Sequence, residues 1–194
     1  ADVARALTTA GYDDHEALEA FARACDIVTF EFENIPTEAL DVVEAITSIR
    51  PGREALRISQ DRLTEKTFLG DLGLRVAPFA DVTDAGTLKA AVAQIGTPAI
   101  LKTRRFGYDG KGQARLKDDA DLDTAWAEMN GAPSLLEGFV NFSAEISVIA
   151  ARSATGEVAC FDPGENVHRD GILHTTTVPA KISNAQRTDA VLLA

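Results

Sequence analysis

Cysteine, methionine and tryptophan are scarce in this chain: its 194 residues hold two, one and one. Cys25 and Cys160 stand far apart with no ligand-type spacing around them. That argues against a disulfide-stapled scaffold or a zinc ribbon and reads as two reduced core residues. No apolar run nears the roughly 20 residues needed to span a bilayer. A basic, apolar-cored secretory leader is also missing, so the expected compartment is the cytoplasm. Positive charge is short as well, 19 Lys and Arg against 30 Asp and Glu, a formal net charge of -11. Such a surface repels nucleic acid and anionic membranes as general partners. There is no internal repeat, no low-complexity linker and no G-x-x-x-x-G-K-[ST] loop.

What the chain does hold is an ordinary globular mixture, 45% hydrophobic and 25% charged. Its few basic residues are not spread evenly. Lys102, Arg104, Arg105 and Lys111 share one stretch with Gly107, Gly110 and Gly112, which leaves an anionic substrate open.

Local pattern predicts an α/β rhythm followed by an α+β one. Leu18, Phe21, Ala22 and Cys25 mark one apolar face of a helix after Asp13-Asp14. A strand is expected over Asp26 to Phe32, closed by Pro36, then a helix capped by Thr37 and running to about Ser48. From Ile49 a connector leads to a helix with Asp61 as N-cap and Gly73 as its stop. Leu88, Ala91, Val92 and Ile95 repeat the one-face spacing. Pro98 to Thr103 reads as a strand delivering Lys102, Arg104 to Gly112 as a hairpin-like loop, and Gln113 to Leu116 as the returning strand. A further helix carries Leu122, Ala125, Trp126 and Met129, ended by Asn130-Gly131. Short strands follow at Ser134 to Glu137, Ala144 to Ala151, Glu157 to Asp162 and Thr175 to Val178, with a turn at Thr155-Gly156. A last helix starts after Ser183. The changes of pattern set segments of 1–73, 74–137 and 138–194.

The Lys102 strand and loop are the most informative stretch. A lysine on a rigid strand can offer one ammonium to a phosphate oxygen, and the glycines let backbone N–H groups approach a polyphosphate. The same residues also describe a solvated hairpin with scattered charge. Glu137-Gly138-Phe139-Val140 could pair with an adenine edge and wall it. Glu145 could accept from ribose hydroxyls, although strand-terminal charges usually just reach water. His168 sits in the polar stretch Glu165 to Gly171, read as a loop, where a histidine is ordinarily exposed. Glu31 and Glu33, two apart on the expected strand, share a face at the carboxyl end where α/β sheets bind ligands. Solvated edge carboxylates fit them equally.

In order and spacing, the segments 26–36, 61–66, 99–113, 141–147 and 168–173 resemble the N5-carboxyaminoimidazole ribonucleotide synthetases, a branch of the ATP-grasp ligases. The resemblance runs from about Tyr12 to Pro179. It implies an ATP-grasp fold behind a partial Rossmann-like N-terminal domain, truncated at both ends. It implies that Arg62 and Lys102 meet the ATP phosphates and that Gly107, Tyr108, Asp109, Gly110, Lys111, Gly112 and Gln113 close over them. Glu137 to Val140 would hold adenine, Glu145 the ribose, and His168 would lie at the nucleotide. Tyr108, with Glu31 or Glu33, would lie near aminoimidazole ribonucleotide, making Lys102 and Tyr108 the catalytic candidates. The implied chemistry is ATP-dependent carboxylation of that ribonucleotide by bicarbonate, through carboxyphosphate, in a homodimer. Mg²⁺ ligands would lie beyond Ala194, so the piece alone is expected to be inactive. A sister ATP-grasp ligase, of the formate-dependent glycinamide ribonucleotide transformylase or biotin carboxylase type, shares the lysine strand and loop. A non-catalytic nucleotide-binding module is the reading from a different class.

Overall fold

Helix caps and one parallel strand pair organise the first of two units seen in the computed structural model, which describes residues 3–108, 111–169 and 171–194. This unit comprises the chain up to Leu72 together with Arg104–Phe106. Helix α1 (His15–Arg23) starts where the Asp14 carboxylate accepts from the Ala17 N–H at 3.0 Å. Strand β1 (Ile27–Val28), helix α2 (Thr37–Glu44) and strand β2 (Ser48–Ile49) form a β-α-β step with the strands parallel. Helices α3 (Arg53–Ser59) and α4 (Arg62–Asp71) complete it. Ala22, Val28, Leu40, Val43, Ile49 and Leu56 make its core.

Three expectations change here. The strand over Asp26 to Phe32 is only β1; the chain is irregular at 29–32 and turns at Glu33-Asn34. The cause is non-local: the Gln60 side-chain amide donates to the Glu33 and Ile35 carbonyls, both at 2.6 Å. That capture holds the segment in a turn. Glu31 and Glu33 therefore do not share a strand face. Pro36, not Thr37, occupies the N-cap of α2, and the helix ends at Glu44 because Ser48 is needed in β2. The connector also contains a helix of its own, α3. Asp61 caps α4 as expected, accepting from Leu63 and Thr64 N–H groups, and Gly73 follows the helix at φ +82°.

The second unit comprises Gly73–Thr103 and the chain from Gly107 onward. Strand β3 (Phe79–Val82) leads to helix α5 (Ala85–Ile95), closed at its start by an Asp84/Thr87 capping box. Strands β4 (Ala99–Thr103) and β5 (Gln113–Leu116), helix α6 (Leu122–Glu128) and strand β6 (Ser134–Gly138) follow. The four strands form one antiparallel sheet in the order β3-β6-β4-β5. One face packs on α5 and α6 through Val82, Leu88, Val92, Leu101, Leu116, Ala125 and Leu136.

Beyond it lie β7 (Glu145–Ser147), β8 (Ala150–Arg152), β9 (Val158–Cys160), β10 (Gly164–Arg169), β11 (Ile172–Thr177) and α7 (Asn184–Leu193). They make a β11-β10-β7 sheet and a β8-β9 hairpin. The single strand expected over Ala144 to Ala151 is thus two strands in different sheets. The polar stretch from Glu165, read as a loop, is strand β10, held by ladder bonds on both sides. The boundary that the sequence pattern sets at Glu137 falls inside this second unit. Both cysteines are free and partly buried, Cys25 against the first unit's core.

Candidate functional site

The antiparallel register decides which side chains share the open face of the four-stranded sheet. Ile100 lies opposite Glu137 on β6 and Arg115 on β5; Lys102 lies opposite Leu135 and Gln113. Directly opposed residues point to the same face. Since Ala99 and Leu101 face the helices, Lys102, Gln113, Arg115 and Glu137 all project from the other side. Phe79, Ile100 and Leu135 share this face, and the four polar side chains form the polar part of the second unit's floor.

On it, the Lys102 ammonium donates to the Glu137 carboxylate at 2.8 Å. Their side chains retain only 21% and 10% of their exposure. An ammonium this far from water needs an anion, and here Glu137 supplies one. Glu137, assigned from sequence to an adenine edge, thus reaches the lysine with its side chain. The following backbone is engaged too. The Gly138 N–H donates to the Pro78 carbonyl at 2.8 Å and the Phe139 N–H to the Pro98 carbonyl at 3.1 Å. The Phe139 ring is partly exposed and lies under the Arg115 guanidinium, 4.5 Å from its centroid. Arg115 was not legible as a site residue. Its signal is the alternation Gln113, Arg115, which puts it on the lysine's face once the strand pairing is known.

The glycine-rich loop leaves β4 and rejoins β5 at a tight joint. The Thr103 N–H donates to the Gly112 carbonyl at 2.8 Å. Gly112 has φ +67°, and a Cβ there would stand 2.5 Å from the Thr103 hydroxyl. Tyr108 and Lys111 meet within the loop, Nζ 3.1 Å from the phenol oxygen and 4.6 Å from the ring centroid. Gly107 lies between them and Phe106. Asp109 and Gly110 lie outside the described residues, as does Asp170.

Glu145 and His168 are brought together by β7-β10 pairing, Oε1 to Nδ1 3.3 Å, both partly exposed. His168 stands on β10 where its register against β11 shifts, opposite Leu173. Val140, half exposed, follows Phe139 beyond the end of β6.

The remaining site residues belong to the first unit. Arg62 opens α4, half-buried, with its N–H donating to the Arg104 carbonyl at 3.0 Å. Glu31 is exposed and helps line a cleft of about 260 Å³ whose walls include Tyr12, Phe21, Phe30 and Leu40. Glu33 is exposed in its turn.

The basic stretch does not act as one pooled charge. Arg104 is locked to Asp61, Nη2 to Oδ2 2.7 Å and Nε to Oδ2 3.0 Å. Burial pushes the Asp61 carboxyl up, but the Arg104 guanidinium and the Thr64 and Leu63 N–H groups outweigh it and hold it below the usual carboxylate range. Arg105 donates to the Gln60 side-chain oxygen at 2.9 Å. Among the described residues, no cluster of three or more His, Cys, Asp or Glu side chains is arranged to hold a metal.

Comparison with known proteins gives this geometry its relatives. The ATP-grasp domain model matches residues 67–194, and the ribonucleotide synthetase preATP-grasp domain model matches residues 1–60. The N5-carboxyaminoimidazole ribonucleotide synthase of Brucella melitensis is 52% identical over 185 residues, covering 94% of this chain and 51% of that protein. A crystal structure of an N5-carboxyaminoimidazole ribonucleotide synthetase in complex with ADP superposes with a TM-score of 0.94 at 39% identity, covering 99% of this chain and 51% of the other. The Aspergillus clavatus enzyme in complex with ADP and 5-aminoimidazole ribonucleotide superposes with a TM-score of 0.87 at 25% identity, over 98% of this chain and 50% of the other. The chain therefore spans about half the length of the relatives it matches.

Proposed function

The chain belongs to the ATP-grasp family, and from that premise we propose that it carries the nucleotide-binding part of an N5-carboxyaminoimidazole ribonucleotide synthase. In this reading a bicarbonate oxygen attacks the γ-phosphorus of ATP, ADP leaves, and carboxyphosphate forms. The exocyclic amine of 5-aminoimidazole ribonucleotide then attacks the carboxyl carbon, or the CO₂ released from it. Phosphate leaves and the amine gives up a proton. The protein's part in such chemistry is positioning and charge neutralisation.

The observation that carries the reading is the half-buried Lys102 ammonium on the polar floor of the β4-β6 sheet, at the root of a glycine-rich loop. A phosphate oxygen arriving there competes with or joins Glu137 as the ammonium's partner. Gln113 and Arg115 extend the same face, and the glycine-rich loop between β4 and β5 is assigned to cover the phosphates. With the Gly138 and Phe139 N–H groups engaged within the protein, an adenine edge would meet the carbonyls of this segment or the Val140 N–H. Glu145 and His168, held side by side, would receive the ribose. Arg62, and Glu31 or Glu33 with Tyr108, are assigned to phosphate and to the aminoimidazole ribonucleotide.

Mg²⁺ belongs to the chemistry of ATP-grasp ligases, and among the described residues no cluster of three or more His, Cys, Asp or Glu side chains is arranged to hold it. A homodimer in the cytoplasm completes the proposal. No helix among the described residues is long and apolar enough to cross a membrane.

The test uses a polypeptide of the relatives' full length carrying this sequence. ADP formation should require both bicarbonate and 5-aminoimidazole ribonucleotide. Turnover with glycinamide ribonucleotide and formate, or with biotin, would replace this reading by a sister ligase. ATP binding without turnover of any of these would leave a nucleotide-binding module.

A further inference from the structure

Gln60 is 7% exposed, and every polar atom of its side chain is used. Nε2 donates to the Glu33 and Ile35 carbonyls at 2.6 Å each, and Oε1 accepts from Arg105 Nη2 at 2.9 Å. These bonds fix the amide's orientation, because neither carbonyl can accept from an oxygen and the guanidinium cannot donate to an NH₂. One neutral side chain thus joins two segments far apart in sequence. One is the turn bearing Glu33. The other is Arg104–Phe106, which runs directly into the glycine-rich loop.

The neighbouring residues grip the second segment as well. Asp61 holds the Arg104 guanidinium, and the Arg62 N–H holds the Arg104 carbonyl. Phe106 follows at φ +62°, a conformation uncommon for a residue with a side chain. The root of the loop is therefore set by residues 60–62, and Gln60 also reaches the Glu33 turn through its side chain.

We propose that Gln60 is a positioning residue that couples the Glu33–Ile35 turn to the root of the glycine-rich loop, and so sets the protein's grip on an amino-imidazole ribonucleotide. The proposal rests on the function assigned above. Gln60 need not touch either substrate. It acts through the turn's carbonyls, and loss of its donors frees the turn while leaving the Lys102 floor intact.

The experiment compares Gln60→Met, Arg105→Met, Arg105→Lys and the Gln60→Met/Arg105→Met pair in the full-length protein. Gln60→Met keeps the volume and removes all three bonds. It should raise the KM for 5-aminoimidazole ribonucleotide about tenfold and leave the KM for ATP within about twofold, the scale of one or two lost buried hydrogen bonds. Arg105→Met should move the same constant in the same direction, and Arg105→Lys, which keeps a donor, should recover most of it. The double variant should be no worse than Gln60→Met, since both break one linkage. Equal shifts in both KM values, additive effects, or a lower melting temperature with unchanged KM values would overturn the coupling. Should Gln60→Met fail to fold, the exposed Arg105→Met carries the test, and an unchanged KM overturns the proposal. Should the wild-type protein not use the ribonucleotide at all, the assigned function falls. The coupling is then read by the carbonyl carbon chemical shifts of Glu33 and Ile35 in Arg105→Met, which report the bonds those oxygens accept: a change supports it, and unchanged shifts remove it.

Discussion

Lys102 and Glu137 stand 35 positions apart in sequence and 2.8 Å apart in space, diagonal neighbours across the β4-β6 ladder. An ion pair with so little exposure is valuable chiefly in the breaking: removing one partner strands the other. Replacing Lys102 by methionine should therefore have two consequences. ATP affinity should fall by about 1.5–3 kcal/mol, the scale of a charge-assisted hydrogen bond. Folding stability should also fall, by about 1–3 kcal/mol, because the little-exposed Glu137 carboxylate loses its ammonium. Adding Glu137→Gln should restore most of the stability and none of the affinity. Calorimetric ATP titration and thermal melts of the full-length variants measure both, and unchanged ATP affinity in Lys102→Met would return the lysine to a structural role.

The Asp61–Arg104 pair predicts a pH dependence with a definite sign. The Asp61 carboxyl is held below its ordinary range in the folded protein. Its contribution is therefore fully present above the unfolded value of about 3.9 and is lost as pH falls through the lower, folded value. Between pH 7 and pH 5 this group should add no slope. Asp61→Asn should cost about 1–2 kcal/mol at pH 7, from the lost charge and the weakened guanidinium bonds, since asparagine caps a helix about as well. The gap between variant and wild type should then narrow in acid. Urea denaturation across the pH range decides it, and a gap that stays constant down to pH 2 would show that the Asp61 charge contributes nothing.

Gly112 and Gly131 separate backbone strain from crowding. Both have positive φ, +67° and +73°, but only at Gly112 would a Cβ meet another atom, the Thr103 hydroxyl. Alanine at Gly131 should cost about 1–2 kcal/mol from conformation alone. At Gly112 the cost should be larger, and Thr103→Ala in the same chain should recover part of the excess. Equal losses at the two glycines, measured by denaturant melts, would mean the joint between β4 and β5 yields freely.

What the sequence disclosed follows the reach of its signals. Caps and local periodicity are short-range, and Asp61 and Ser183 stand at the N-caps they predict. The β4-β5 hairpin was legible from Pro98, the apolar run and the glycines. Strand β10 was not, because Gly164–Arg169 is polar and becomes a strand only through partners on both sides. The shortness of β1 was equally hidden, since Gln60, 25 residues beyond Ile35, captures the carbonyls concerned. The site followed the same division. Lys102, Glu137, Glu145 and His168 could be named one at a time. Which of them touch depends on register, which no local pattern encodes. Arg115 became visible only through that register.

The alternation along β4 also governs how this sheet can be rewritten. Ala99 and Leu101 answer to α5 and α6, while Ile100 and Lys102 answer to whatever occupies the open side. Two constraints are interleaved in one five-residue string, and each is blind to the other's substitutions. A graft that exchanges only the loop from Gly107 to Lys111 leaves both untouched, because the Thr103–Gly112 joint preserves the spacing. Inserting a single residue ahead of Ile100 would exchange the two sets. It would turn the ammonium toward the helix-packed face and Leu101 toward the other, so length errors before this strand should be rejected far more strictly than length variation after it.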